Sequence, residues 1–327
     1  MNNKKAKILA TGSYLPEKIL TNKDLENMVD TSDEWITTRT GIKKRRIAGE
    51  KESTSDMGAK AAQNAIKKAG ISKDEINAII VATITPDMLF PSTASFIQKK
   101  LGINFIPAFD ISAACTGYIY ALSIAAQFVN AGIYKNILVV GAEKLSAITD
   151  WEDRSTCVLF GDGAGAAIIS GEKGDLLIDE FYLGCDGRFT DILNLPAGGS
   201  FMPASEETVK NRMHFLKMTG QEVFKHAVKY MADSAVKTLE KSGLKVSDID
   251  FLLPHQANIR IILAVAKRLG IPKEKVFLNV QEYGNMSAAS SSVGLDEVLS
   301  KNKTIKNVLM VAFGAGLTYG SILLRKA

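Results

Sequence analysis

Cys115 is the residue whose position in the sequence best suits a nucleophile. Residues 108–117 read as a strand that turns into a helix, which places Cys115 at the helix N-terminus. Unpaired N–H groups and the helix dipole stabilise a thiolate there, so we expect a lowered pKa and a reactive thiol. The competing interpretation is a small core residue, the usual role of a free cysteine. Cys157 and Cys185 lack this setting and are expected to be structural.

His255 and Asn285 are the polar side chains expected to meet Cys115. His255 follows an apolar strand, and α/β folds hold their sites at the carboxyl ends of strands. Asn285 precedes a helix in the second half of the chain, as Cys115 does in the first. A histidine and an amide that converge on a cysteine supply two hydrogen-bond donors to an oxyanion. A structural histidine and a plain Gly-Asn turn remain the alternatives.

An α/β fold is expected to position these residues. Continuous apolar runs predict buried strands that helices cover on both faces. These runs are residues 78–82, 136–140, 251–253 and 307–311. Helical patterns lie between them, at residues 57–68, 117–130 and 221–241.

The chain also repeats its landmarks. Cys115 precedes the strand that starts at Asn136 by 21 residues, and Asn285 precedes the strand that starts at Asn307 by 22. Matched spacings of this kind predict an internal duplication, with halves at residues 1–172 and 173–327.

Composition excludes several classes of protein. The 327 residues, 46% hydrophobic and 23% charged, are typical of a folded chain with a sizeable core. Three cysteines and the lack of a signal-peptide pattern predict a cytoplasmic location. With no run of 18 apolar residues, no membrane contact is expected. The formal charge of +5 is mild, and no nucleic-acid-binding motif accompanies it, so no nucleic-acid partner is expected.

Three segments resemble the Cys, His and Asn motifs of β-ketoacyl-[acyl-carrier-protein] synthase III, a family of the thiolase superfamily. These segments are residues 110–117, 254–258 and 284–290. Further similar segments are residues 11–16, 33–42, 160–166 and 313–316. The resemblance extends over essentially the whole chain. It implies a thiolase-like five-layered αβαβα fold built from two duplicated halves, and a homodimer.

The resemblance also implies a reaction that starts type II fatty acid synthesis. An acyl group moves from an acyl-CoA substrate to Cys115, and malonyl-acyl carrier protein then decarboxylates and condenses with it. His255 and Asn285 would donate hydrogen bonds to the enolate, and the backbone N–H groups of Cys115 and Ala315 would hold the acyl oxyanion. The resemblance implies no cofactor and no metal. It leaves open the primer, acetyl or branched, because one methylene is worth only about 1–3 kcal/mol in such a pocket.

Substrate contacts follow from the same resemblance. Trp35 and Arg154 would sandwich the adenine of coenzyme A, Arg39 would contact its phosphates, and Phe90 would reach across the dimer to line the acyl pocket. The expected contacts to the acidic carrier protein are Gln256, Ala257, Asn258, Ile259, Arg260, Lys225 and Lys267. The basic run at residues 43–46 has no counterpart in this scheme and is interpreted as a solvated face.

Other members of the superfamily use different residues. Elongating synthases use Cys-His-His, biosynthetic thiolases need a second cysteine in the C-terminal half, and hydroxymethylglutaryl-CoA synthase needs a glutamate before the nucleophile. Here Asn285 takes the third position, no cysteine follows Cys185, and residues 82–87 contain no glutamate. Chalcone-synthase-like polyketide synthases and starter-unit synthases of secondary metabolism remain the nearest alternatives. A papain-like hydrolase, which needs a Cys–His ion pair, is a weaker one.

Overall fold

The computed structural model describes residues 5–302 and 304–326. The strands in these ranges are β1 Lys7–Tyr14, β2 Lys18–Thr21, β3 Lys44–Ile47, β4 Ala78–Ala82, β5 Ala108–Ile111, β6 Asn136–Lys144, β7 Asp162–Ser170, β8 Leu176–Cys185, β9 Leu193–Asn194, β10 Lys217–Met218, β11 Phe251–Pro254, β12 Asn307–Gly314 and β13 Thr318–Lys326. The α-helices are α1 Asn22–Glu26, α2 Asp33–Thr40, α3 Thr54–Ala69, α4 Thr93–Leu101, α5 Gly117–Asn130, α6 Arg154–Cys157, α7 Glu206–Lys210, α8 Gly220–Ser242, α9 Ile259–Leu269, α10 Val280–Tyr283 and α11 Ala288–Lys301.

Nine strands form a mixed sheet in the order β11-β12-β13-β8-β1-β7-β6-β4-β5. From the central β1–β8 contact outwards, the two sides follow the same plan: β1-β7-β6-β4-β5 on one side and β8-β13-β12-β11 on the other. A parallel bridge from Leu252 to Val276 stands where β5 stands on the first side. This order agrees with a duplicated fold. The boundary between residues 172 and 173 falls in the loop between β7 and β8 and stays a prediction.

Helices cover both outer faces and fill the centre. Helices α3 and α4 pack on the β1-β7-β6-β4-β5 side, α8 and α9 pack on the other, and α5 and α11 lie between the two sides. The three largest apolar clusters among the described residues follow this plan, one at the centre and one under each outer layer. These are the five layers that the resemblance implied.

The sequences of the helices fit their layers. Central α5 is apolar on nearly every face, because a helix that lies between the two sides of the sheet has no solvent face. Outer α8 instead carries its buried side chains at helical spacing, among them Ala227, Met231, Ala235 and Leu239, and faces solvent elsewhere. The central helices therefore bring their N-termini, and the residues before them, to the middle of the molecule.

The basic run at residues 43–46 is not a solvated face. Side chains alternate across β3, so Arg45 points inward and is fully buried. Its guanidinium donates hydrogen bonds to Asn22 Oδ1 at 2.9 Å, to the Val158 carbonyl at 2.8 Å and to the Leu20 carbonyl at 3.3 Å. Burial lowers the pKa of Arg45 to about 10, so the group stays charged at neutral pH. Arg45 thus ties the segment before α2 to the end of α6.

We predict that Arg45→Ala lowers the free energy of unfolding by about 2–4 kcal/mol, because it leaves buried acceptors without donors. Urea denaturation followed by circular dichroism measures the change. The matched control is Lys43→Ala, at an exposed position of the same run, which should stay within about 0.5 kcal/mol of the parent. Equal stability of the two variants would mean that the buried hydrogen bonds contribute nothing.

Candidate active site

Cys115 lies in a one-turn 3₁₀ helix, Ala114–Thr116, that leads from β5 into α5. The turn is fastened to the second half of the chain: the Thr318 hydroxyl donates to the Ala113 carbonyl at 2.9 Å, and the Thr116 hydroxyl donates to the Thr318 carbonyl at 3.2 Å. Gly314 packs against the turn, and a Cβ there would stand 2.6 Å from the Cys115 nitrogen. Position 314 must therefore be glycine for β12 to approach the cysteine.

His255 and Asn285 reach the same region from the second half. His255 directly follows β11, its N–H donating to the Val311 carbonyl at 2.8 Å. Its ring is buried, and neither ring nitrogen has a hydrogen-bond partner among the described residues. Asn285 precedes α11, and its Oδ1 accepts a hydrogen bond from the Ser287 N–H at 2.8 Å. That bond orients the amide and leaves the Nδ2 group to donate elsewhere.

One cavity of about 770 Å³ joins these groups. Cys115, His255, Asn285 and Ala315 all line it. Most of its other walls are apolar, supplied by side chains that include Ile84, Leu145, Leu159, Phe160, Leu193, Leu195, Leu216, Val223 and Phe313. The space suits an acyl chain that ends beside a thiol.

The pKa values of Cys115 and His255 differ from those expected for a thiolate nucleophile. Burial raises the pKa of the Cys115 thiol to about 12, and burial lowers the pKa of His255 to about 3. The expectation of a lowered thiol pKa was therefore wrong, because the desolvation of the thiolate outweighs the hydrogen bonds that would stabilise it. Both groups are neutral at pH 7. That state argues against the ion pair that a papain-like hydrolase needs.

Trp35, Arg39 and Arg154 form a cluster in which both arginines are exposed and the indole ring is half-buried. The Arg154 guanidinium carbon lies 5.2 Å from the centroid of the Trp35 ring, and that of Arg39 lies 4.8 Å from it. Arg39 also lines the cavity, as does Ser155 beside Arg154. The cluster therefore stands at the open end of the cavity that holds Cys115.

The residues expected to touch a carrier protein separate into two groups. Arg260, Lys225 and Lys267 are exposed on α8 and α9, and Arg260 also lines the cavity. Ala257 and Asn258 line the cavity as well, and half-buried Ile259 begins α9.

Gln256 belongs to neither group, because its side chain is fully buried. Its amide donates to the carbonyls of Pro254 and Phe277, and its Oε1 accepts from the N–H groups of Asn279 and Val280. The expectation that Gln256 contacts a partner is wrong for its side chain, which instead holds the loop after β11.

Phe90 does not line the cavity of its own chain. It is 84% exposed, beside Leu89 at 82% and Met88 at 56%. Met88 and Leu89 line a neighbouring cavity of about 620 Å³ that shares Ile84, Ile148 and Leu195 with the first. An apolar tip therefore stands in solvent close to the back wall of the candidate site.

Comparisons with known proteins agree with the sequence motifs. The family model described as 3-oxoacyl-[acyl-carrier-protein (ACP)] synthase III matches residues 109–187, and the model of the C-terminal part of that family matches residues 239–326. A β-ketoacyl-[acyl-carrier-protein] synthase III of Caldanaerobacter subterraneus subsp. tengcongensis is 55% identical over 322 residues, 98% of this chain and 97% of that protein. The chain belongs to the β-ketoacyl-[acyl-carrier-protein] synthase III family.

Solved structures extend the likeness to three dimensions. The 3-oxoacyl-[acyl-carrier-protein] synthase III of Aquifex aeolicus superposes with a TM-score of 0.90 at 48% identity, covering 98% of this chain and 99% of that one. The priming β-ketosynthase of the R1128 polyketide biosynthetic pathway has a TM-score of 0.90 at 36% identity, covering 99% and 97%. The protein is thus an acyltransferase-type enzyme with a thiolase-like fold, of a family that acts in fatty acid biosynthesis.

Two absences hold for residues 5–302 and 304–326. No group of three or more His, Cys, Asp or Glu side chains is arranged to hold a metal ion. No helix in those ranges has the length and apolar character needed to cross a bilayer.

Several residues at the site were missed from the sequence. Ser287, which lines the cavity, and the wall formed by residues 193–218 were not predicted. Ser287 had a signal, because it lies in the segment 284–290 that resembles the Asn motif. The wall had no sequence signal, because it is largely irregular. The Asp150–Arg212 ion pair that stabilises it joins residues far apart in the sequence.

Proposed function

We propose that this enzyme condenses an acyl-CoA primer with malonyl-acyl carrier protein, through an acyl group carried on Cys115. The observation that carries the proposal is the single cavity onto which Cys115, His255, Asn285 and Ala315 converge. A two-step acyl transfer and condensation requires one thiol to carry the acyl group, two side-chain donors for the enolate, and backbone N–H groups for the acyl oxyanion. Acyl-CoA is a substrate in this scheme, and no cofactor takes part.

In the first step the Cys115 sulfur attacks the thioester carbon of the primer. The carbonyl oxygen becomes an oxyanion, which the N–H groups of Cys115 and Ala315 hold. The close packing of Gly314 against the Cys115 nitrogen supports this pairing, since it keeps the two backbone segments together. Each donor of this kind is worth about 3 kcal/mol of barrier.

In the second step malonyl-carrier protein loses CO₂, and the enolate that forms attacks the acyl carbon on Cys115. His255 and Asn285 donate hydrogen bonds to the enolate oxygen. A neutral imidazole carries one N–H, and its nitrogens are unpaired in the free site, so a donor is available without breaking another bond. Release of the Cys115 sulfur then yields the β-ketoacyl product.

The cluster of Trp35, Arg39 and Arg154 is proposed to bind coenzyme A. An indole ring and a guanidinium can both stack on adenine, and Arg39 can pair with a phosphate. In the free enzyme Arg154 already faces the Trp35 ring, at 5.2 Å, so the adenine must part the two groups on entry.

We propose that α8 and α9 receive the acidic carrier protein through Lys225, Arg260 and Lys267. Charge reversal of all three residues should raise the KM for malonyl-carrier protein by about tenfold or more, because like charges then face each other. The rate of primer transfer from acyl-CoA should change much less. The control is Lys306→Glu, an exposed lysine just before β12 and so at the opposite end of that strand from Gly314. An equal loss in both half-reactions would contradict the assignment.

The proposed active form is a homodimer in the cytoplasm. The exposed apolar tip at residues 88–90 supports the dimer, because apolar surface of this kind usually marks an interface. In the dimer Phe90 of one chain would line the acyl pocket of the other. Three cysteines without a disulfide support a reducing compartment.

The experiment that tests the function is incubation of the enzyme with acetyl-CoA, isobutyryl-CoA and longer acyl-CoA thioesters. Intact-mass spectrometry should show one added acyl group, and peptide mapping should place it on Cys115. Addition of malonyl-carrier protein should remove the adduct and yield a β-ketoacyl-carrier protein. No adduct from any of the thioesters would overturn the proposal, and the preferred thioester would identify the primer.

A further inference from the structure

The turn that carries Ala315 lies between β12 and β13. Ala315 lines the cavity, and its N–H is the second donor proposed for the acyl oxyanion. Toward Cys115, the Thr318 hydroxyl lies 2.9 Å from the Ala113 carbonyl oxygen and 3.1 Å from that of Ala315. Gly314 packs against the Cys115 nitrogen. An oxyanion donor must be held in place before the reaction, so every group that fixes this turn matters for the first step.

Asp186 holds the same turn from the end of β8. Its N–H donates to the Leu317 carbonyl at 2.8 Å, and the Leu317 N–H donates to the Asp186 carbonyl at 2.9 Å. These two bonds extend the β8–β13 ladder by one residue pair beyond Cys185 and Thr318. The turn at Ala315 is therefore anchored to the chain that follows β8.

Tyr230, on α8, joins Asp186 to the residues on both flanks of the turn. Its hydroxyl donates to Asp186 Oδ2 at 2.7 Å. Its ring stacks on that of Tyr319, which follows the turn, with ring centroids 4.6 Å apart and an angle of 13° between the planes. Phe313 precedes the turn, and its ring centroid lies 6.3 Å from that of Tyr230. One side chain thus interacts with the residues before and after the turn and with the residue that is bonded to it.

Neighbouring groups hold the Asp186 carboxylate and the Tyr319 ring in place. The Arg188 guanidinium donates from Nε to Asp186 Oδ1 at 2.8 Å and from Nη2 to Asp186 Oδ2 at 2.7 Å. The Tyr319 ring packs directly on Gly184, where a Cβ would stand 2.5 Å from two ring atoms. The arrangement is therefore fully formed in the free enzyme.

We propose that Asp186 and Tyr230 are positioning residues for the acylation step: the hydrogen bond between them keeps the Ala315 N–H in the place from which it donates to the acyl oxyanion. This inference rests on the proposed function, in which that N–H holds the oxyanion. Asp186 and Tyr230 do not line the cavity, so we expect neither to contact the acyl group. If the pair contributed only to stability, every reaction of Cys115 would respond to its loss in the same way.

Tyr230→Phe tests the hydrogen bond, because it keeps the aromatic ring and removes the hydroxyl. The single-turnover rate of Cys115 acylation by the preferred acyl-CoA should fall about five- to tenfold, a fraction of the roughly 10²–10³-fold that complete loss of one oxyanion donor costs. The acyl-CoA concentration that gives half the maximal rate should stay within about twofold of the parent value, since the donor acts on the transition state and not on the bound thioester.

Alkylation of Cys115 by iodoacetamide separates positioning from a structural role. The thiolate displaces iodide at a saturated carbon, so no carbonyl oxygen becomes charged and no oxyanion donor takes part. The rate of alkylation of Cys115 in Tyr230→Phe, followed by peptide mapping, should therefore stay within about twofold of the parent rate.

Asp186→Ala and the double variant Asp186→Ala/Tyr230→Phe test whether the two residues act through one bond. Asp186→Ala should slow acylation by at least as much as Tyr230→Phe, because it removes the acceptor and also releases Arg188. Adding Tyr230→Phe to Asp186→Ala should cost less than about twofold further, since the bond is already lost. Effects that multiply would contradict the assignment.

Tyr182→Phe is the matched control. The Tyr182 ring also stacks on Tyr319, with centroids 6.5 Å apart, but its hydroxyl accepts from Lys237 Nζ at 2.8 Å and does not contact Asp186. Loss of this hydroxyl should leave both acylation and alkylation within about twofold of the parent rates.

Two results would overturn the inference: parent-like acylation in Tyr230→Phe, or acylation and alkylation that fall together. If the parent enzyme accepts no acyl-CoA, the proposed function fails first. Acylation by 4-nitrophenyl acetate then takes its place in the test, because that ester forms the same kind of oxyanion on Cys115. An unchanged rate in Tyr230→Phe, or no reaction of the parent with the ester, would contradict the inference.

Discussion

Cys115→Ser is expected to lose acyl transfer from acyl-CoA by roughly 10³-fold or more. A buried serine hydroxyl is far less acidic than a thiol, and the His255 imidazole is a weak base, because burial lowers its pKa to about 3. The measurement is the rate of coenzyme A release together with the intact mass of the enzyme. The fold should be unaffected, because the two side chains have similar size.

Cys157→Ser and Cys185→Ser are the controls for this prediction. Cys157 is buried under the Arg45 segment and Cys185 is exposed at the end of β8, and neither lines the cavity. Both variants should therefore be acylated at close to the parent rate. Transfer of the label to Cys185 in the parent enzyme would contradict the assignment of Cys115.

His255→Ala and Asn285→Ala are expected to separate the two half-reactions. Each variant should lose malonyl decarboxylation by about 10²–10³-fold, because each removes one donor to the enolate oxygen. Acylation of Cys115 should fall much less, since the acyl oxyanion is held by backbone N–H groups. Release of labelled CO₂ from malonyl-carrier protein measures the first quantity, and acyl-enzyme mass measures the second.

His214→Ala is the matched control for the histidine. Its ring nitrogen bonds to the Thr208 hydroxyl at 2.9 Å, outside the cavity of Cys115, so both half-reactions should be kept. If His255→Ala and Asn285→Ala lost both half-reactions equally, the proposed division of roles would be wrong.

The framework that carries these residues was predictable because its signals are local. The strand Ala78–Ala82 has the predicted bounds, and so does the helix Gly117–Asn130. Continuous apolar runs and helices rich in small residues occur where a strand or helix is covered by protein on both faces. The inner layers of a five-layered fold contain several such strands and helices. The spacing from Cys115 and from Asn285 to the next strand was likewise visible in the sequence, because it repeats.

The errors have a different origin. Arg45 and Gln256 were expected at the surface because their residue types are polar, yet both are fully buried and bonded to polar groups from other segments. The pKa of Cys115 was expected to fall because of its place at a helix start, yet burial raises it to about 12. In each case the deciding neighbours come from distant parts of the chain.

The sequence alone determined the α/β class, the duplicated plan, the family and the three side chains proposed to act, because these depend on residue types at regular spacings. Only the tertiary structure decided that the thiol and the imidazole are both neutral, that Arg45 and Gln256 are internal, and that Ser287 lines the same cavity as Cys115. Desolvation and hydrogen bonding depend on which groups enclose a side chain, and here those groups come from both halves of the chain.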